Sequence, residues 1–189
     1  MSFTRVAKNT LIQLTGRILS VILGIFALGI LTRYLGAEQF GWYTTAMTFL
    51  QFFAIISYLG LTLITTQMIS EPEANENQLI NNIFTLRIVV SLLLFGIACA
   101  IIWLMPYNLT IKIGVLIASG SMLFTSLQNI LQGLFQKHLH MEKVALGDVI
   151  GRAVILLGFI TAVMLKMELQ TIFLVHTIAN AVQFFILGD

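Results

Sequence analysis

Long apolar runs separated by short polar segments dominate the chain. Six runs are close to the roughly 20 apolar residues that an α-helix needs to cross a bilayer. They cover residues 10–32, 42–69, 80–104, 109–135, 144–165 and 170–187. Short connections place consecutive helices side by side and antiparallel. The pattern therefore predicts an all-α, polytopic membrane protein in which residues 1–189 form a single six-helix transmembrane bundle.

Composition favours a membrane protein over a soluble one. Hydrophobic residues make up 58% of the 189 residues and charged residues 10%, whereas a soluble domain carries about 25% charged residues. So few charges do not cover a water-exposed surface. The formal net charge of +2 is too small to indicate nucleic-acid binding, and the single cysteine, Cys99, forms no internal disulfide.

Positive residues near the span ends predict the orientation, because Lys and Arg accumulate on the cytoplasmic side. Three of the ten lie toward the ends away from the amino terminus: Arg33, Lys112 and Lys166. The other seven lie toward the same side as the amino terminus: Arg5, Lys8, Arg17, Arg87, Lys137, Lys143 and Arg152. We therefore expect the amino terminus in the cytoplasm.

Polar side chains follow one face of four predicted helices. In the first, Asn9, Gln13 and Arg17 share a face because they are spaced by four residues. The other stripes comprise Thr44, Thr48, Gln51, Tyr58, Thr62 and Thr65; Ser121, Thr125, Gln128, Asn129, Gln132 and Gln136; and His176, Asn180 and Gln183. Such groups either hydrogen-bond between helices, at about 0.6–2 kcal/mol each, or line a hydrated cavity. The density of amides favours the cavity.

Arginine inside a span costs about 2.5–3.5 kcal/mol at the membrane centre, so its presence needs a reason. Arg17 lies about 10–13 Å into the first predicted helix, and it is the best candidate for an anion-binding group. Arg87 is shallower and is expected to reach lipid phosphates. Arg152 follows Asp148 by four residues, which fits either an ion pair on the helix surface or contact with a substrate.

The candidate cavity residues are Gln13, Arg17, Gln51, Asn129, Gln132 and Arg152. No Asp or Glu lies near the middle of a predicted span, which disfavours coupling to cations. Positive charge instead suits an anionic cargo such as a phosphate-bearing lipid headgroup.

Signatures of catalysis are missing from the sequence, which contains no phosphate-binding glycine loop, nucleophile elbow or zinc motif. We therefore expect neither enzymatic activity nor a cofactor. His138 and His140 lie in a basic segment and are expected to be solvated rather than to bind a metal. The acidic segment from residue 70 to residue 77 is expected to be a loop.

The segment from Leu31 to Tyr43, with Gly16-Arg17 and the opening residues 5–11, resembles the amino-terminal half of the polysaccharide biosynthesis flippases. These are the Wzx or O-antigen repeat-unit translocases of the MATE-like superfamily. Residues 133–136 and the pair Gly151-Arg152 also resemble that family. Within the first segment, Gly36 suits a left-handed helix cap and Gly41 a tight entry into the next helix, so a short hairpin is expected there.

The resemblance implies two pseudo-symmetric six-helix lobes around a cationic cavity, with this chain forming the first lobe. The implied cargo is an oligosaccharide linked to undecaprenyl pyrophosphate, moved from the inner to the outer leaflet of the bacterial plasma membrane by alternating access. Arg17 would occupy a plausible position in the cavity. The expected partners are this cargo, membrane lipids and a second lobe, supplied by the same polypeptide or by another copy, with no nucleic acid.

Two other functions stay open at this point. One is a multidrug or cation antiporter of the same superfamily, which the missing carboxylates disfavour. The other is a membrane assembly subunit that transports nothing and whose polar stripes only hold its helices together. Accessibility of Gln51 and Gln132 to water-borne reagents separates the second case from a transporter, because an assembly subunit would leave both closed.

Overall fold

The described part of the chain is a bundle of long helices. The computed structural model describes the backbone of residues 3–69, 76–137 and 141–188, and the side chains of residues 11–57, 81–135 and 141–188. The helices are α1 (Phe3–Ile69), α2 (Glu76–Leu104), α3 (Leu109–Lys137), α4 (Met141–Met164) and α5 (Leu169–Gly188). Each contains a stretch long and apolar enough to cross a membrane. The predicted all-α, multi-pass architecture is therefore confirmed, but six separate helices are not.

Several predictions fall wholly or partly outside the described residues, among them the placement of five polar-stripe side chains: Asn9, Tyr58, Thr62, Thr65 and Gln136. The acidic loop includes residues 70–75, which lie outside, whereas Glu76 and Asn77 already belong to α2. His138 and His140 lie outside as well.

The helix count differs because α1 consists of two helical parts, matching the first two predicted spans, that meet at a kink at the non-helical residue Gly36 (φ 66°, ψ −179°) with no loop between them. Essentially only glycine adopts this backbone conformation. A positive φ at Gly36 is therefore confirmed, but its ψ lies outside the left-handed helical region expected for a helix cap, and the hairpin connection extending to Gly41 is wrong. The helix resumes directly after Gly36, because Ala37, Glu38 and Gln39 follow it and are residues of good or moderate helix propensity.

Contacts on both sides of Gly36 show that α1 turns back there; we name residues 3–35 arm 1 and residues 37–69 arm 2. The Tyr34 hydroxyl donates a 2.8 Å hydrogen bond to the carbonyl of Met167, in the turn between α4 and α5. Tyr43 stacks on Phe173 of α5, with ring centroids 5.3 Å apart. A straight helix would carry Tyr43 about 13 Å beyond Tyr34 along the axis of arm 1, away from Phe173. Arm 2 therefore runs back along the bundle.

The helices approach closely through small residues. A methyl group at Gly16 of arm 1 would lie 2.7 Å from the Cβ of Ala145, and one at Gly147 would lie 2.9 Å from a methyl carbon of Leu187. These contacts bring α4 against both arm 1 and α5. Glycines at such positions let helix backbones approach each other in a membrane, where lipid supplies no hydrophobic drive between helices.

The core is apolar and so is the outer surface. Fully buried side chains come from several helices, including Leu31, Leu50, Ile102, Val115 and Phe173. Large apolar side chains are also exposed on the outside of every helix: Ile25, Phe52, Leu93, Leu116, Leu157 and Phe185 are examples. An apolar exterior around an apolar core matches a helix bundle surrounded by lipid.

Replacement of Gly36 by alanine should destabilise the chain by about 1–3 kcal/mol, because a Cβ is strained at this backbone conformation. No neighbouring atom lies within 4 Å of the added methyl group, so the effect isolates the backbone. Thermal unfolding of the purified chain in detergent measures it.

Gly41→Ala is the matched control. Gly41 lies in the helical part of arm 2, and its added methyl group also meets nothing within 4 Å. Alanine in a helix is favoured over glycine by about 0.5–1 kcal/mol, so this variant should be unchanged or more stable. A loss of stability at Gly36 no greater than that at Gly41 would contradict the role of the positive φ.

Candidate functional site

The polar stripe of α3 is bonded to α5. Asn180 donates from Nδ2 to the hydroxyl of Ser121 at 3.0 Å, and its Oδ1 lies 3.2 Å from the hydroxyl of Thr125. Gln128 donates from Nε2 to the carbonyl of Asn180 at 2.7 Å. Ser121 and Gln128 are buried. These groups hold two helices together, which is the packing interpretation of the stripe.

Two of the candidate cavity residues continue this stripe along α3. Asn129 is half-buried and donates from Nδ2 to the carbonyl of Thr125 in its own helix, at 2.6 Å. Gln132 is half-buried one turn further along. Both lie on α3, whereas the charged candidates lie on α1 and α4. The structure therefore divides the six candidates between different parts of the bundle.

The candidates on α1 are all exposed within its apolar stretch. Gln13 and Arg17 are exposed on arm 1, and Gln51 is exposed on arm 2. The stretch that contains them, Leu11–Ser57, is apolar enough for a membrane. Exposed amide and guanidinium groups in hydrocarbon need a polar neighbour or water. We therefore expect water or a polar group, and not lipid alone, beside these side chains.

Arm 1 and α4 run in parallel and bring two arginines to one interface. Gly16 packs on Ala145 near the start of α4, and the Cβ position of Gly24 lies 3.8 Å from Nη1 of Arg152. Arg17 follows Gly16 directly, so it lies beside the first turns of α4. Arg152 is eleven residues after Met141 and twelve before Met164, which places it at the middle of the span.

Asp148 lies on the helix that carries Arg152, and along that helix it falls between Arg152 and Ala145, which packs beside Arg17. α4 begins at Met141, three residues before the predicted start, so Asp148 lies seven residues, or about 10 Å, into the span. Its side chain is half-buried. Asp148 thus lies deeper than the predicted start of the span implied, because Met141, Glu142 and Lys143 are helical and lengthen α4 at its start. It still lies about one turn short of Arg152, which is at the middle.

The Asp148 carboxyl has one direct partner among the described residues and lies within the electrostatic influence of two arginines. Gln183 of α5 donates from Nε2 to Oδ1 of Asp148 at 2.8 Å. The positive charges of Arg17, on arm 1, and Arg152, one turn along α4, both act on the same carboxyl. We name Arg17, Asp148, Arg152 and Gln183 the charged site.

Two buried polar groups border the charged site. Ser20 lies midway between Gly16 and Gly24 on the face of arm 1 that meets α4, is 5% exposed, and its hydroxyl has no hydrogen-bond partner among the described residues. His176 of α5 has a buried Nδ1 that likewise has no partner within the described ranges, and the charge of Arg152 acts on its ring. These groups add hydrogen-bonding capacity beside the charges.

Arg87 does not have the position expected for it. The sequence interpretation placed its guanidinium among lipid phosphates, but the side chain is only 2% exposed. It shares one face of α2 with the buried residues Ile83, Ser91 and Phe95, and Ser91 hydrogen-bonds to Ser126 of α3 at 3.0 Å. The four-residue spacing with these neighbours is the sequence signal that could have indicated its burial.

The charged site is suited to binding an anion. Two guanidinium groups and one carboxylate carry a net charge of +1, and both arginines are exposed. Guanidinium groups form bidentate hydrogen bonds to phosphate oxygens, and these bonds strengthen where water is scarce. Phosphate or pyrophosphate is thus the ligand class that this arrangement favours.

Comparison with known proteins agrees with the resemblance found in the sequence. The family model described as polysaccharide biosynthesis protein matches residues 6–188, a range that includes the whole charged site. The resemblance to that family is therefore confirmed. No curated protein and no solved structure matches the chain significantly.

Cysteine labelling tests whether water reaches the exposed glutamines. In a Cys99→Ala background, cysteines at Gln13 and Gln51 should react with a membrane-impermeant maleimide, because exposed amides in an apolar span require hydration. Labelling in intact membranes, read as the fraction of chain modified, measures this.

Two control positions separate water access from simple exposure. Leu93 is 62% exposed but apolar, and Gln128 is polar but only 7% exposed; cysteines at both should stay unmodified. Reaction at Leu93 equal to that at Gln13, or protection of both glutamine positions, would rule out a hydrated face and favour the assembly subunit.

Proposed function

The chain belongs to the polysaccharide biosynthesis protein family, and from this premise we propose that it is a lipid-linked oligosaccharide flippase or the amino-terminal lobe of one. The cargo is of the undecaprenyl pyrophosphate type, used to build surface polysaccharide such as O-antigen. It passes from the inner to the outer leaflet of the bacterial plasma membrane by alternating access. The amino terminus of the chain lies in the cytoplasm.

The observation that carries this proposal is the pair of exposed arginines on neighbouring parallel helices. Arg152 lies at the middle of α4 and Arg17 lies beside the start of that helix. A guanidinium group at this depth is costly unless it meets an anion or water. A pyrophosphate with several negative oxygens satisfies two guanidinium groups at once.

The apolar exterior is compatible with a lipid-linked cargo whose tail stays in the bilayer. Large exposed apolar side chains surround the described helices. A polyprenyl tail stays in the surrounding hydrocarbon, while the pyrophosphate and sugars move through a hydrated path along the polar face. The side chains on that path would be Gln13, Arg17, Gln51 and Arg152, all of which are exposed, together with Asn129 and Gln132 on α3.

A second lobe is the natural partner of this polar face. A second set of helices, from the same polypeptide or from another copy of the chain, would shield the exposed arginines from lipid and close a cavity around the cargo. In this proposal the protein binds and moves the cargo without making or breaking covalent bonds, so the proposal includes no enzymatic step and no cofactor. Nucleic acid has no role in it.

A cation antiporter is the weaker alternative even though Asp148 lies within a span. The charges of two arginines act on this carboxyl, and the net charge of the site is positive. A cationic drug or a sodium ion would be repelled by the same groups that attract a phosphate.

Neutralising either arginine should reduce export of surface polysaccharide by about tenfold or more, because a charge-assisted bidentate contact to the cargo would be lost. Arg17→Gln and Arg152→Gln are compared with the unmodified chain in cells that depend on it, with surface polysaccharide quantified and the membrane level of the protein measured by immunoblot.

Arg33→Gln is the matched control, because Arg33 is also exposed on arm 1 but lies beside Gly36, far from the charged site. It should export normally. Normal export by both Arg17→Gln and Arg152→Gln at unchanged protein level would remove the charged site from the mechanism.

A further inference from the structure

We propose that Asp148 is an internal competitor for the anion site. Its carboxylate partly offsets the positive charge of Arg17 and Arg152 when no cargo is bound, and a phosphate-bearing headgroup that binds both arginines must overcome its repulsion. The inference rests on the function proposed above and assigns Asp148 a role in setting how tightly the cargo is held and how readily it leaves.

The first support is the position of the carboxyl near the two positive groups. Asp148 and Arg152 are four residues apart and therefore share a face of α4. Arg17 lies on arm 1 beside this part of α4, because the contact of Gly16 with Ala145 fixes the register of the two helices. An anion bound by both arginines would occupy the space beside the Asp148 carboxyl.

The second support is that Asp148 has an anchor other than the arginines. Gln183 donates to Oδ1 at 2.8 Å, and α5 is held against α4 at this level because Gly151 lies beside the Gln183 side chain. When cargo takes the arginines, the carboxylate keeps this hydrogen bond. The unpartnered hydroxyl of Ser20, on the opposing face of arm 1, is a further donor available to it.

Electrostatics explain why such a competitor is useful. Two guanidinium groups without an anion are expensive in a medium of low dielectric constant, and a carboxylate lowers that cost in the empty state. The same carboxylate repels an incoming phosphate, so the cargo binds less tightly than it would to two bare arginines. A transporter must release its cargo as well as bind it, and moderate affinity serves release.

The test is the affinity of the purified chain, in nanodiscs, for inorganic pyrophosphate, measured by isothermal titration calorimetry. Asp148→Asn should bind pyrophosphate about tenfold more tightly than the unmodified chain, since one negative charge leaves the neighbourhood of the ligand. The substitution is isosteric and keeps an oxygen to accept from Gln183. A structural role alone would weaken or preserve binding, never tighten it.

Two further variants sharpen the comparison. Glu168→Gln removes the same charge from the exposed turn between α4 and α5 and should leave the affinity unchanged. Asp148→Glu keeps the carboxylate and should stay within about threefold of the unmodified chain. Equal tightening by Glu168→Gln would reduce the effect to net charge and would overturn the inference.

The outcomes also separate this inference from the proposed function. If pyrophosphate binding depends on Arg17 and Arg152 but Asp148→Asn binds no more tightly, the competitor role is wrong and the flippase proposal stands. If neither the unmodified chain nor Asp148→Asn binds pyrophosphate, both proposals fail together. In cells, Asp148→Asn should export less despite tighter binding, because release becomes slow.

Discussion

A charged side chain that leaves water for hydrocarbon loses its hydration, and that cost governs how this bundle is organised. Insertion of one arginine at the membrane centre costs about 2.5–3.5 kcal/mol, so Arg17 and Arg152 persist only where neighbours replace part of the water. The close approach of Gly16 to Ala145 supplies that neighbourhood by bringing arm 1 against α4. The small residues and the charged residues therefore depend on each other. The small residues let arm 1 and α4 approach closely, and this close approach gives the arginines polar neighbours.

The turn at Gly36 brings arm 2 back against the rest of the bundle. Because arm 2 folds back, Tyr43 reaches Phe173 on α5, and arm 2 becomes part of the apolar core through the buried Leu50 and Phe53. Arm 1 meanwhile keeps its contacts with α4. One backbone conformation that essentially only glycine adopts without strain thus lets two consecutive helical arms pack on two sides of the structure.

Hydrophobic pattern predicted the existence and class of the helices well, because bilayer thickness constrains the length of an apolar run. It predicted their ends less well: the start of α4 was placed too late since Met141, Glu142 and Lys143 are helical although two of them are charged. That error of three residues hid the depth of Asp148. The burial of Arg87 was missed for another reason. Residue spacing shows which side chains share a face of a helix, but it does not show which of those faces another helix covers.

The polar residues of the chain are used in two different ways, and the contrast bears on function. On α3 and α5, Ser121, Gln128 and Asn180 are joined by hydrogen bonds that hold the two helices together. On α1 and α4, the arginines stay exposed beside a carboxylate held by Gln183. A bundle that only had to hold its helices together would gain nothing from two costly guanidinium groups on an open face. This contrast between the two polar regions supports the proposal that the arginines meet an anionic cargo.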